Sequence, residues 1–263
     1  MILKGETARL FDLTGRVAVV TGATRGIGYA IAQSLGEAGA RIIVSSENEI
    51  DCNNACEQLA DLGIDAVPLV CNLAEEEAID HFVVGVVHKF SVIDILVCNG
   101  GIEGPVGPME LAPETEIDRV FAINLRGALR LTSRFIPRMA DAGGGSVLLI
   151  GSIAGLRGNK AIGIYGLTKA AIAQLARNLA VQWGPRDIRV NCLSPGLIDT
   201  DFAKAIQAHE TAFARRMSLT PLRRMGAPQE VAAAALFLCS AAGAFITGHN
   251  LVVDGGTVIT DGN

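Results

Sequence analysis

Apolar positions along the chain fall in short, nearly unbroken runs separated by longer stretches of helical period. Seven such runs stand out: RVAVV (16–20), ARIIVSS (40–46), AVPLVCN (66–72), VIDILVCNGG (92–101), SVLLI (146–150), IRVNCLSPG (188–196) and NLVVDGG (250–256). A continuous apolar run of this length reads as a strand buried on both faces. The fourth and sixth end in small-residue turns. Helical stretches lie between them: from the glycine loop after residue 20 to Gly39, then 49–62, 75–90, 113–140 with a break near Asn124, and about 165–183. Pro228 suits the first position of a further helix, since its missing N–H is one that the first turn leaves unbonded anyway. The run 231–246 is apolar, contains Ser240 and Gly243, and is too short for a membrane span. It reads as a buried or subunit-interface helix followed by a turn.

Strands alternating with helices predict an α/β fold, a Rossmann-like doubly wound parallel sheet of about seven strands with helices on both faces. No domain boundary, repeat or low-complexity linker interrupts it. Residues 1–263 are expected to form one domain, with a flexible N-terminal arm (1–12) and a mobile helical flap (199–217) carrying Phe202, Ile206, Phe213 and Met217.

Composition narrows the function. The chain has 263 residues, half of them hydrophobic, and a net charge of −5. It shows no basic run or basic–aromatic patch, which argues against nucleic acid. The N-terminal residues lack an apolar signal-peptide core, so a cytoplasmic location without membrane attachment is expected. The six cysteines are scattered and read as reduced core thiols. Cys52 and Cys56 share a helix face, but nothing partners them at metal spacing, so no metal site is assigned.

Candidate chemistry lies in two places. After the first strand comes TGATRGIG (21–28), a glycine loop opening a helix. Gly22 would permit the tight turn, Gly26 would let backbone N–H groups approach a pyrophosphate, and Gly28 would let the helix pack closely. The helix N-terminus would face that anion. The second strand ends at Ser46 and Glu47, an acid able to accept bonds from ribose hydroxyls and to repel a 2′-phosphate. A solvated loop glutamate is the equal alternative. The second place is GSIAGLRGNKAIGIYGLTKAA (151–171). Tyr165 and Lys169 are four apart, hence on one helix face. A protonated lysine beside a phenol lowers its pKa from roughly 10 and makes Tyr165 a general acid/base. Ser152 follows a strand end, where α/β sites gather.

Together these motifs resemble the short-chain dehydrogenase/reductase family, of the single-domain type. TGATRGIG resembles the family's TGxxxGxG loop, CNGG (98–101) its NNAG turn, INLRG (123–127) the segment of its catalytic asparagine, and Ser152 with Tyr165 and Lys169 its Ser…YxxxK core. SPGLIDT (194–200) resembles the PGxxxT segment that contacts the nicotinamide half of the cofactor. The match runs from Arg16 to Gly256 and departs at Cys98, at Gly100 and at Asn72, which stands where an aspartate is usual. The resemblance implies an NAD(P)-dependent oxidoreductase that moves a hydride between nicotinamide and a secondary alcohol or ketone. It implies catalytic roles for Asn124, Ser152, Tyr165 and Lys169, with Asn124 holding a water that links Lys169 to solvent. It implies cofactor contacts from Gly22, Thr24, Arg25, Gly26, Ile27, Gly28, Ser46, Glu47, Asn72, Leu73, Asn99, Gly100, Gly101, Tyr165, Lys169, Pro195, Gly196, Ile198 and Thr200. Substrate contacts are expected from Ser152, Ile153, Ile162, Tyr165, Leu197 and Phe202, with Ile164 beside them, in an apolar pocket where no side chain awaits a carboxylate. Glu47 favours NAD, and Arg25 leaves NADP open. The alternatives are an NADPH-using 3-oxoacyl-carrier-protein reductase, for which Arg186 is one docking residue, and a cofactor-sensing protein without turnover. A homotetramer built through the helices 124–140 and 165–183 is also implied.

Overall fold

The computed structural model describes residues 5–260, with the side chain of residue 205 left out. Residues 1–4 of the expected arm lie outside the described residues. The rest of the arm forms a short exposed helix, α1 (Glu6–Leu10). The chain then docks where Leu13 is buried and donates its N–H to the Ala38 carbonyl at 2.8 Å.

The apolar runs become β1 (Val17–Thr21), β2 (Arg41–Ser45), β3 (Ala66–Pro68), β4 (Ile95–Cys98), β5 (Gly145–Ile150), β6 (Ile188–Pro195) and β7 (Asn250–Val253). Helices α2 (Gly26–Glu37), α3 (Glu49–Asp61) and α4 (Glu76–Phe90) link the first four. Next come α5 (Glu114–Phe121), α6 (Gly127–Asp141), α7 (Gly163–Trp183), α8 (Lys204–Gln207), α9 (Glu210–Ser218) and α10 (Pro228–Cys239). All seven strands are parallel, in the order β3-β2-β1-β4-β5-β6-β7. The order reverses between β1 and β4, and a doubly wound sheet opens its binding crevice at that point.

Two cores flank the sheet, and the strands feed them alternately. Val20, Val44, Val97 and Leu148 face α2 and α10, while Val19, Ile43, Leu96 and Leu149 face α4, α6 and α7. Both strand faces are consumed, which is why the strands read as unbroken apolar runs. Phe82 and Phe135 meet edge-to-face at 6.2 Å between α4 and α6.

Two expectations are corrected, and the open reading of the 231–246 run is resolved as a buried helix. The third strand stops at Pro68 rather than Asn72. The chain still runs beside β2, with Leu69 and Cys71 donating to the Val44 and Ser46 carbonyls, so Cys71 is buried outside any strand. The apolar face of α10 needs no subunit partner, since Val231, Ala235 and Leu238 are buried against the α2 side of the sheet. The break near Asn124 is a single wide turn (Ala122–Arg126) of π type, which joins α5 to α6 without ending the helical path. Such turns are frequent at functional sites.

Candidate active site

The carboxyl ends of β1, β4, β5 and β6 open into one cavity of about 910 Å³. All the residues expected to touch cofactor or substrate line it except Asn124 and Ile164. Asn124 is buried behind the wall, and Ile164 is buried in the packing around α7, which corrects its assignment to the pocket.

At one end lies the glycine loop. Gly22 has φ +61° and Gly26 φ +56°, values that favour glycine. A side chain at Gly28 would sit 2.1 Å from the Gly22 carbonyl oxygen, so that glycine serves the closeness of helix to turn. The first turn of α2 receives no side-chain cap, and Gly26, Ile27 and Gly28 line the cavity. Uncapped amides at a helix start, reached through glycines, fit a pyrophosphate.

Asn99 ties this loop to β4. Its amide nitrogen donates to the Thr21 and Gly22 carbonyls at 3.1 and 2.9 Å, and Thr21 Oγ1 accepts the Asn99 and Gly100 N–H groups. The departure at Gly100 has a local reason: a side chain there would come within 2.6 Å of Leu73. Asn72 is held by its own turn, accepting the Ala74 N–H at 3.1 Å and donating to Glu75 at 2.7 Å. Ser46 and the exposed Glu47 line the cavity just before the start of α3.

At the other end stand Ser152, Tyr165 and Lys169. Two glycines bring them together. A side chain at Gly155 would lie 2.6 Å from the Ala170 nitrogen, and one at Gly166 would lie 2.7 Å from the Ala154 carbonyl. The turn carrying Ser152 therefore rests backbone-on-backbone against α7. Ser152 Oγ accepts the Ala154 N–H at 3.1 Å. The Tyr165 ring packs on Phe202 at 5.7 Å, which sets the 199–217 flap over it. Lys169 is 5% exposed, donates to the Ile150 carbonyl at 2.7 Å and lies 5.5 Å from the Tyr165 ring centre. Asn124 Oδ1 accepts the Ile102 N–H at 2.8 Å, and its amide donates to Ile102 O and to Thr168 Oγ1. Gly101 lacks the side chain that would stand 3.1 Å from Asn124 Oδ1 and 3.6 Å from Lys169 Nζ.

The electrostatics reverse one expectation. Burial pushes the Tyr165 phenol up to about 12, against the pull of its hydrogen bond with Ser152 and with a further push from the Glu103 charge. Burial also pushes the Lys169 amine down to about 8, opposed by the Cys192 and Cys98 thiols. The lysine does not lower the phenol here, because both groups are desolvated and the ammonium is directed at the Ile150 carbonyl. The pair is set as a neutral phenol and an easily deprotonated amine.

The sequence reading missed the charged lining of the inner cavity. Glu103, Arg157 and Arg216 all stand on its wall. Burial pushes the Glu103 carboxyl upward. Arg157 and Arg216 put cationic side chains on the wall of a pocket expected to be apolar. Nothing local in the sequence marks them, since their role depends on the fold of the flap and of the turn after β5.

Comparison with known proteins matches this geometry. The family model described as enoyl-(acyl carrier protein) reductase matches residues 22–258. Dehydrogenase/reductase SDR family member 4 of Mus musculus is 35% identical over 93% of this chain and 88% of its own. A gluconate 5-dehydrogenase from Burkholderia cenocepacia, solved with NADP and tartrate, superposes with TM-score 0.93 at 30% identity, covering 97% of this chain and 100% of its own. A 7α-hydroxysteroid dehydrogenase, solved with NADH and 7-oxo glycochenodeoxycholic acid, gives TM-score 0.89 at 34% identity over 96% and 98%. The chain belongs to the short-chain dehydrogenase/reductase family and is an NAD(P)-dependent oxidoreductase. That sets aside the alternative of a cofactor sensor without turnover.

Proposed function

We propose that the chain interconverts a secondary alcohol and its ketone, with Tyr165 as the general acid/base. The observation that carries this reading is the meeting of Ser152, Tyr165 and Lys169 with the glycine loop around a single cavity. The bound nicotinamide nucleotide supplies or accepts the hydride. The chain supplies everything else. Gly22, Gly26 and Gly28 leave room for the pyrophosphate, and Glu47 takes the adenosine ribose, so NAD is the preferred nucleotide. In reduction the Tyr165 hydroxyl donates its proton to the substrate oxygen while Ser152 hydrogen-bonds the same oxygen. Preorganised O–H donors at a developing oxyanion lower the barrier. A phenol held up to about 12 is fully protonated at neutral pH and suits this donor role. Lys169 returns the proton to Tyr165. Asn124 fixes the Ile102 loop, and the second lone pair of its Oδ1 is left to hold a relay water.

In the carrier-protein alternative the docking residue Arg186 is exposed and shared with Asp141 at 2.9 Å, which weakens the support for it. The six cysteines are free and buried, which supports a reducing, cytoplasmic setting. No helix among the described residues is long and apolar enough to cross a membrane. Exposed apolar side chains on the long helices, Leu129 on α6 and Leu167 and Val181 on α7, support a homotetramer.

Titrating the purified protein with NADH and with NADPH, followed by nucleotide fluorescence, tests the cofactor assignment. Tighter binding of NADH is expected. Tighter NADPH binding would place the 2′-phosphate on Arg25 and remove Glu47 from the ribose. Binding of neither would contradict the proposed use of the cavity.

A further inference from the structure

Most arginines of this chain are bonded. Arg16, Arg41, Arg130, Arg134, Arg186 and Arg224 each reach a carboxylate at 3.0 Å or less. Among the described residues that line the cavity, Arg25, Arg157 and Arg216 make neither an ion pair nor a side-chain hydrogen bond, and Arg25 belongs to the glycine loop. Arg216 is the most telling. Its Nε is buried and has no partner, one of two such side-chain atoms among the described residues. A guanidinium donor taken out of water without an acceptor is costly, and native interiors rarely leave one so.

We propose that Arg216 receives the anionic end of the substrate, so that this enzyme takes an alcohol or ketone bearing a carboxylate. The inference rests on reading the Tyr165 end of the cavity as the substrate half. Arg216 sits on α9, in the flap whose Phe202 ring packs on Tyr165 at 5.7 Å. A group held by Arg216 is therefore held by the same flap that covers the tyrosine. The Nε–H and a terminal N–H of guanidinium form a fork that matches a carboxylate's two oxygens. The local charge agrees. Of the acids on the cavity wall, Glu47 and Asp51 lie at the outer end by α3, and Asp201 is bonded to Lys204 at 2.5 Å. That leaves Glu103 alone against Arg157, Arg216 and Lys169. A net cationic inner pocket in a chain of charge −5 selects an anion.

Binding in a non-reacting complex tests this directly. The protein is saturated with whichever of NADH and NADPH it binds, then titrated calorimetrically with lactate, 3-hydroxybutyrate and malate and with their methyl esters. With reduced nucleotide these alcohols cannot turn over, so the readout is affinity. At least one acid should bind about tenfold or more tighter than its ester, as a charge-assisted pair requires. Arg216→Gln should reduce that preference to roughly threefold or less, and Arg216→Lys should restore part of it, because a point charge keeps the attraction but loses the fork. Reduced-nucleotide affinity should stay near wild type in both variants, which also shows that they fold. No acid preference in the wild type, or an unchanged preference in Arg216→Gln, overturns the inference. Loss of nucleotide affinity in Arg216→Gln also overturns it, by placing the arginine on a cofactor phosphate. An Arg216-dependent acid preference in a protein that oxidises no alcohol would leave this inference standing and sink the proposed reaction instead.

Discussion

At the scale of single residues, the site depends on two desolvated groups that carry opposite penalties. Tyr165 is held protonated and Lys169 is held near its titration point, each because burial disfavours the charged form. The sign for Lys169 follows. Its folded pKa, about 8, is below the ordinary 10.5, so between those values the unfolded chain binds more protons. Stability contributed by this group therefore rises with pH across that window and is absent below it. If the ammonium is the form that reprotonates Tyr165, ketone reduction should decline above pH 8 in wild type. A rate profile that stays flat well past that point would remove Lys169 from the proton path. Spacing alone made Tyr165, Lys169 and Ser152 legible as a set. The direction of their pKa shifts was not legible, because it depends on desolvation and on the Ile150 carbonyl that draws the ammonium.

At the scale of elements, the site is built by glycines that let backbones touch. Gly155 and Gly166 seat the turn after β5 on α7, and Gly28 seats α2 on the glycine loop. Gly28→Ala would force its new carbon against the Gly22 carbonyl, an overpacking cost of about 1–3 kcal/mol, and the loop that yields would also lose cofactor affinity. Thermal melting with and without NADH reads both effects; an unchanged melting point with full cofactor affinity would contradict the packing argument. The strands were legible because burial on both faces leaves a plain apolar signature. The third strand's early end and the π turn were less so. Pro68 sits inside an otherwise strand-like run, and the turn at Asn124 shows in sequence only as an interruption. The flap was legible as helical, yet that Arg216 of α9 meets the cavity depends on how the flap folds back over the sheet, which no local pattern gives. Nothing in its own stretch of sequence therefore marks Arg216 as a pocket residue.

At the scale of the molecule, a sheet with its order reversed between β1 and β4 places the glycine loop and the Ser152–Tyr165–Lys169 group around one crevice. The same architecture leaves apolar side chains uncovered on the long helices. Val181 is 83% exposed near the end of α7, and Leu129 and Leu167 are about half exposed. Sedimentation should give a mass about four times the 27.4 kDa chain. A monomer would leave those side chains without a partner and contradict the tetramer. Fold class and strand order of this kind follow from alternation of strands and helices, whereas assembly depends on surfaces that pattern alone does not rank.

In the proposed function Tyr165 transfers the proton while the rest of the cavity binds the nucleotide. Tyr165→Phe keeps the ring against Phe202 and removes only the hydroxyl. Nucleotide affinity and steady-state turnover should be measured on the same preparation of wild type and variant. Unchanged affinity is expected, with turnover lowered by about two orders of magnitude or more, the usual worth of a positioned acid. A variant that binds the nucleotide as before and retains most of its turnover would contradict that role for Tyr165.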